Sequence, residues 1–207
     1  MAFFFNPFEP AEPMPPPAIV FAQSVAPASE PVSVATFRAY AHIDDNDDDA
    51  TLSGLLLAAR HLVEKKSGRV LVAQSWTAKL ERWPDPDRND GRIRIRLNPP
   101  PLSITSVAVD GVNIASTLYT LRGDELVVSQ DLETFPEGDT ITDGVVITFA
   151  ASPDASGYPQ LLTALQMLAA HWHRSPEATH TFEAGLTATP LAVAALIQSA
   201  RVMRELN

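Results

Sequence analysis

From Pro31 to Gly68 the apolar positions recur every three or four residues. Ser33 is placed to cap a short helix over Val34 to about Ala41, with Val34, Phe37 and Ala41 on one face. The acidic run Asp44-Asp45-Asn46-Asp47-Asp48-Asp49 leads into a longer helix, about Asp49 to Ser67. Leu52, Leu55, Leu56, Ala59, Leu62 and Val63 form its apolar stripe, and Gly68 stands where a C-terminal glycine belongs. Aspartates at its start and Lys65, Lys66 and Arg69 at its end complement the helix dipole.

After Gly68 the period becomes two. Val70–Glu81 is predicted as a strand, with Val72, Gln74 and Trp76 on one side. Ile93, Ile95 and Leu97 alternate with Arg92, Arg94 and Arg96. Ile104–Val109 runs into Asp110-Gly111, a strong hairpin signal. Leu118–Leu121, Leu126–Ser129 and Val145–Ala150 bring the total to about six short strands. Tight turns between short strands imply an antiparallel sheet, not βαβ units.

Helical spacing returns at Pro159, where Leu161, Leu165, Leu168 and Trp172 share a face broadened by Leu162 and Ala169. A break from Ser175-Pro176 to Thr189 precedes a last helix opening at Pro190, whose expected face is Leu191, Ala194 or Ala195, Gln198, Val202 and Leu206. No internal repeat is found. Each helix has one apolar face, so two N-terminal and two C-terminal helices are expected to pack together. The fold class expected is α+β: a four-helix core over 32–69 and 158–207, an inserted antiparallel β domain over 70–157, and an extended arm over 1–31.

Eight of the eighteen prolines fall in those first 31 residues, including Pro15-Pro16-Pro17. Proline fixes φ and lacks an N–H, which excludes a helix or a central strand across the stretch. No signal peptide is expected there, because the first Lys or Arg is Arg38 and Pro7, Glu9 and Pro10 interrupt the apolar letters. Phe3, Phe4, Phe5 and Phe8 are expected to dock on a partner or a neighbouring subunit. No apolar run is long enough for a membrane span, so no membrane partner is expected.

Composition narrows the function. The formal charge of −10 disfavours a domain that grips phosphates, and the absence of cysteine removes disulfides, thiolate metal sites and cysteine nucleophiles. Five of the fifteen bases, Arg82, Arg88, Arg92, Arg94 and Arg96, nevertheless crowd into fifteen residues. The last three share a strand face: either a solvated stripe or a contact to an acidic neighbouring surface, including another copy of this chain.

Reaction chemistry finds little support. An EF-hand loop begun at Asp45 places Asp47 and Asp49 well, but puts Ala50 where glycine is needed and Leu56 where the bidentate glutamate belongs. His171 and His173 point about 200° apart on a helix and cannot share a metal. There is no G-x-S-x-G, no HExxH and no phosphate loop. No catalytic residue, cofactor or metal ligand is therefore assigned, and no enzyme is expected.

Two segments carry a family resemblance. One runs from Val32 through Phe37 and Tyr40 to Asp44, continues through Asp47-Asp48-Asp49, and ends with Lys66-Ser67-Gly68-Arg69 and the Gln74-Ser75-Trp76 strand. The other runs from Tyr158-Pro159-Gln160-Leu161-Leu162 to Ala169-Ala170-His171-Trp172, with Thr189-Pro190-Leu191 opening the last helix. In order and spacing, over roughly residues 32–203, they resemble the head–tail connector (adaptor) proteins of tailed bacteriophages, prophages and gene transfer agents. The sequence departs from the family pattern after Trp172, where His173-Arg174-Ser175-Pro176-Glu177 replaces a Tyr and an Asn-Arg-Glu stretch.

The resemblance implies a structural ring, usually dodecameric, under the portal protein in the virion neck. Such a ring is assembled in the host bacterial cytoplasm, contacts a tail-side stopper or tail-terminator protein, and passes genomic DNA through its lumen as cargo. An acidic wall lets DNA slide where a basic wall would hold it. Because the family's C-terminal region engages the portal, Leu191, Leu196, Ile197, Val202, Met203 and Leu206 become candidate portal-docking residues. Arg92, Arg94 and Arg96 are candidate ring contacts. The alternatives are a metal-dependent nucleotide hydrolase using His42, Asp44, Asp45 and His61, and a monomeric β-rich binding module.

Overall fold

The computed structural model describes residues 16–44, 49–129, 143–153, 158–174 and 190–201. In chain order they form β1 (Ile19–Val25), α1 (Val34–Ala41), α2 (Asp49–Ser67), β2 (Gln74–Leu80), β3 (Ile93–Arg96), β4 (Ser103–Val109) and β5 (Val112–Asn113). A 3-10 turn at Ser116–Leu118 leads to β6 (Tyr119–Arg122), β7 (Glu125–Val128), β8 (Val145–Ala151), α3 (Pro159–Arg174) and α4 (Leu191–Ala200). The protein is α+β, as the alternation of periods predicts.

Local chemistry fixes the ends of these elements. Ser33 Oγ accepts the Thr36 N–H at 3.1 Å and starts α1. His42 stops it in the left-handed region at φ 55, donating its N–H to the Arg38 carbonyl. Asp110 and Gly111 both take positive φ in the two-residue turn that pairs Val109 with Val112. Gly144 has φ 82, and a Cβ there would collide with the Leu80 carbonyl, so the start of β8 can approach β2 only with glycine.

The strands make two antiparallel sheets, β1-β2-β8-β4-β5 and β3-β7-β6. Their facing sides share one apolar cluster, with Ala78, Ile147, Phe149 and Val107 from the larger sheet against Ile95, Leu97, Leu126 and Val128 at the smaller. The helices have a cluster of their own. Phe37, Leu52, Leu56, Ala59 and Val63 meet Leu161, Leu165 and Leu168 of α3 and Val193 and Ile197 of α4.

Two details differ from the sequence expectations. The stretch expected to be wholly arm contains β1, which pairs with β2 from Ile19↔Leu80 to Val25↔Ser75 as the edge strand of the larger sheet. No proline interrupts residues 18–26, so that window is free to pair although the stretch around it is not. The face of α4 also differs. Val193, Ile197 and Ala200 are buried, whereas Leu191, Ala194, Ala195 and Gln198, expected on the packed side, are exposed. The chain caps α4 at Arg201, which is extended at ψ 139.

Candidate functional site

A polar chain crosses from the helical layer to the sheet layer. Arg60 lies on the packed side of α2, one turn after Leu56, and its side chain is only 2% exposed. Its Nε and NH2 donate to Glu30 at 2.7 and 3.2 Å, and NH1 donates to Glu64 at 2.9 Å. Burial alone lowers the pKa of this guanidinium, but the bonds to Glu30 and the charges of Glu64 and Glu30 outweigh it and raise the value above its ordinary one. The second oxygen of Glu64 accepts the Leu71 N–H at 2.7 Å and the Gln74 amide at 3.1 Å. Gln74 in turn accepts from Gln23 on β1. Glu30, α2, β2 and β1 are thus held by one continuous set of hydrogen bonds.

A second junction fixes the end of α4. Arg69 follows Gly68, which takes φ 71 just beyond α2. Its Nε donates to the Ala200 carbonyl at 2.9 Å and NH1 donates to the Tyr158 hydroxyl at 2.9 Å. The guanidinium also lies 4.8 Å from the centre of the Tyr158 ring. Arg69 therefore ties together the end of α2, the start of α3 and the last carbonyl of α4. Helix C-terminal carbonyls lack intrahelical donors, and this arginine supplies one.

The candidate portal-docking residues separate by environment. Leu191 is 90% exposed, Leu196 is half-buried against the helical core, and Ile197 is covered by that core at 4%. The assignment of Ile197 to a free docking side is corrected by its place in the i, i+4, i+7 row with Val193 and Ala200. Val202, Met203 and Leu206 lie outside the described residues, as do Phe3, Phe4, Phe5 and Phe8 of the arm.

The arginine stripe sits on β3 as alternation requires, with Ile93 and Ile95 buried and Arg94 and Arg96 exposed. The charges of Arg94 and Arg96 are answered within the chain. Arg94 donates to Asp87 at 2.7 Å and to Asp90 at 2.5 and 3.2 Å, and Arg96 donates to Asp124 at 2.7 Å. The Arg94 bond, followed by the Arg92 backbone N–H, holds the Asp90 carboxyl below the usual carboxylate range.

The alternative hydrolase reading needs His42, Asp44, Asp45 and His61 in one place. His42 and Asp44 are exposed beyond α1, His61 is exposed along α2, and Asp45 lies outside the described residues. Among the described residues no three His, Asp or Glu side chains are grouped to hold a metal ion. No described helix is long and apolar enough to cross a membrane.

The described residues define an α+β protein whose helical layer and β layer are joined through Glu64, held by the buried Arg60. No protein-family model and no curated protein matches the chain. Solved structures do match. A chain from the neck of an empty GTA particle, computed with C6 symmetry, is 25% identical and aligns over 90% of this chain and 97% of its own, with a TM-score of 0.67. A chain from the neck of a native GTA particle, computed with C12 symmetry, is 23% identical over the same shares, with a TM-score of 0.65. A third, from the virion of a native gene transfer agent particle, is 23% identical with a TM-score of 0.63.

Proposed function

We propose that this chain is a structural head–tail adaptor, forming a ring in the virion neck beneath the portal and carrying the DNA channel toward the tail. The observation that carries the proposal is the match to a neck chain at 25% identity over 90% of this chain and 97% of that one. A match over nearly the whole of both chains concerns the architecture, not one shared motif. The neck structures were computed with six- and twelve-fold symmetry, which supports a ring of side-by-side copies. Cyclic closure needs two different complementary faces on each copy. The chain's charge of −10 suits a lumen that does not hold DNA.

Portal docking is assigned to the exposed side of α4 around Leu191, the margin at Leu196, and the residues after Arg201, including Val202, Met203 and Leu206. Arg69 supports this assignment physically. It fixes the Ala200 carbonyl, and with it the last turn of α4, against the end of α2 and the start of α3. Arg92, Arg94 and Arg96 are assigned to the ring contact, with Asp87 and Asp90 holding the Arg94 guanidinium in place and Asp124 that of Arg96.

Native mass spectrometry of the chain alone and mixed with portal protein tests the proposal. A ring, or a stoichiometric adduct with portal, is expected. A monomer that ignores portal and retains bound metal through desalting supports the hydrolase instead, and a monomer without metal supports the binding module.

A further inference from the structure

A cleft of about 360 Å³ opens where the end of α2 faces the near end of the β layer. Phe21, Trp76 and Pro99 supply apolar walls, and His61, Lys65 and Arg69 stand along the side made by α2 and the two residues after it. The acid in the lining, Glu64, is neutralised by the buried Arg60 at 2.9 Å. Arg69 spends its described hydrogen bonds on a carbonyl and a hydroxyl, both uncharged, so its positive charge is not cancelled by them. The cleft is therefore aromatic on one side and basic on the other, in a chain whose net charge is strongly negative.

One segment of the chain has the complementary composition. Residues 1–15 contain Phe3, Phe4, Phe5 and Phe8, the acids Glu9 and Glu12, prolines at 7, 10, 13 and 15, and no Lys or Arg. Proline-rich segments favour an extended helix that loses little entropy on docking into aromatic-lined grooves. Phenylalanine rings supply the apolar contact, and the glutamates meet Lys65 and Arg69.

We infer that the cleft receives the Phe-rich segment, residues 1–15, of a neighbouring copy of this chain. The inference rests on the ring reading proposed above. The topology favours a neighbour over the same copy. The segment joins β1 at its Ile19 end, paired with Leu80, whereas the cleft is lined by β1 further along, at Phe21 and Gln23. Those points lie two and four residues on, about 7 to 13 Å along the strand. A segment from the same copy would have to reverse and run back beside β1, and the stiff Pro15-Pro16-Pro17 run opposes that reversal. A segment from the next copy meets no such constraint, and its insertion would link adjacent subunits.

Photo-crosslinking tests this in the full-length chain. Phe8→p-benzoylphenylalanine protein is assembled into rings mixed from isotope-labelled and unlabelled copies. Crosslinks from position 8 to the Phe21, Lys65 or Trp76 region are expected between differently labelled copies. Links confined to one copy, or directed elsewhere, overturn the inference. A second measurement does not depend on rings: a synthetic peptide of residues 1–15 is titrated into the full chain. Binding should weaken about fivefold with Lys65→Glu, an exposed change that spares both cores. It should vanish when the peptide's four phenylalanines are alanine. A peptide that binds no better than its alanine version refutes the cleft assignment whether or not rings form. Cleft-dependent binding by a chain that never forms rings retains the cleft and overturns the ring reading.

Discussion

Replacing Arg60 by methionine keeps an unbranched apolar stem and removes the charge that joins Glu30 to Glu64. The loss is large because of where the partners lie. Glu64 is 11% exposed and Glu30 26%, so neither carboxylate recovers full hydration when the guanidinium disappears. Removing one partner of a buried ion pair costs about 3–5 kcal/mol. The partial exposure of Glu30 places this site near the low end, about 3 kcal/mol. With a urea slope of about 2 kcal/mol/M, the unfolding midpoint should fall by about 1.5 M. Adding Glu64→Gln to Arg60→Met removes one stranded charge while keeping an oxygen for the Leu71 N–H, and should recover part of the loss. A midpoint shift below about 0.5 M at unchanged slope would show that the buried network contributes little and would refute this account of how the layers are joined.

Asp90 should titrate below the ordinary carboxylate value, about 3.9, in an NMR pH series, and Arg94→Ala should move it upward. Because the folded-state value is depressed, the stability it contributes is present above the unfolded value and disappears as pH falls through the folded one. No change of midpoint in Arg94→Ala would contradict the assigned cause. Charge reversal by Arg94→Glu should disrupt ring assembly, most at low salt, and normal rings at every ionic strength would mark the stripe as a solvated face. Deleting residues 202–207 should abolish portal binding while leaving the unfolding midpoint nearly unchanged. Deleting 196–207 should also destabilise the fold, because it removes Ile197 and Ala200 from the core and the carbonyl held by Arg69. Portal binding by the shorter deletion at wild-type affinity would refute the docking assignment.

Much of the architecture was legible in the residues because it rests on local signals. The Ser33 cap, the Asp110-Gly111 turn and the change of period after Gly68 depend on near neighbours, and the elements fall where those signals place them. What the sequence reading missed depends on residues far apart in the chain. Arg60 stands one turn after Leu56 on the packed side of its helix, but its carboxylate partner Glu30 is thirty residues away. Arg69 gains its role from a carbonyl 131 residues later. β1 was hidden because prolines on either side outweigh a proline-free window in composition, although pairing with β2 depends only on the window itself. On α4, small and apolar residues occupy nearly every position, so no face stood out until α2 and α3 selected the row at 193, 197 and 200. The arginine stripe was legible as a stripe, but its acids lie in turns on both sides of it, and only the fold brings Asp87, Asp90 and Asp124 to the guanidiniums.

Cryo-electron microscopy of particles assembled with this chain shows its position in the particle. A closed ring of this chain is expected between portal and tail, with the Ala200 end of each subunit directed to the portal and the DNA path running through the centre. Particles whose portal–tail junction is complete without this chain, or in which its density lies in the capsid shell or the distal tail, would contradict that placement.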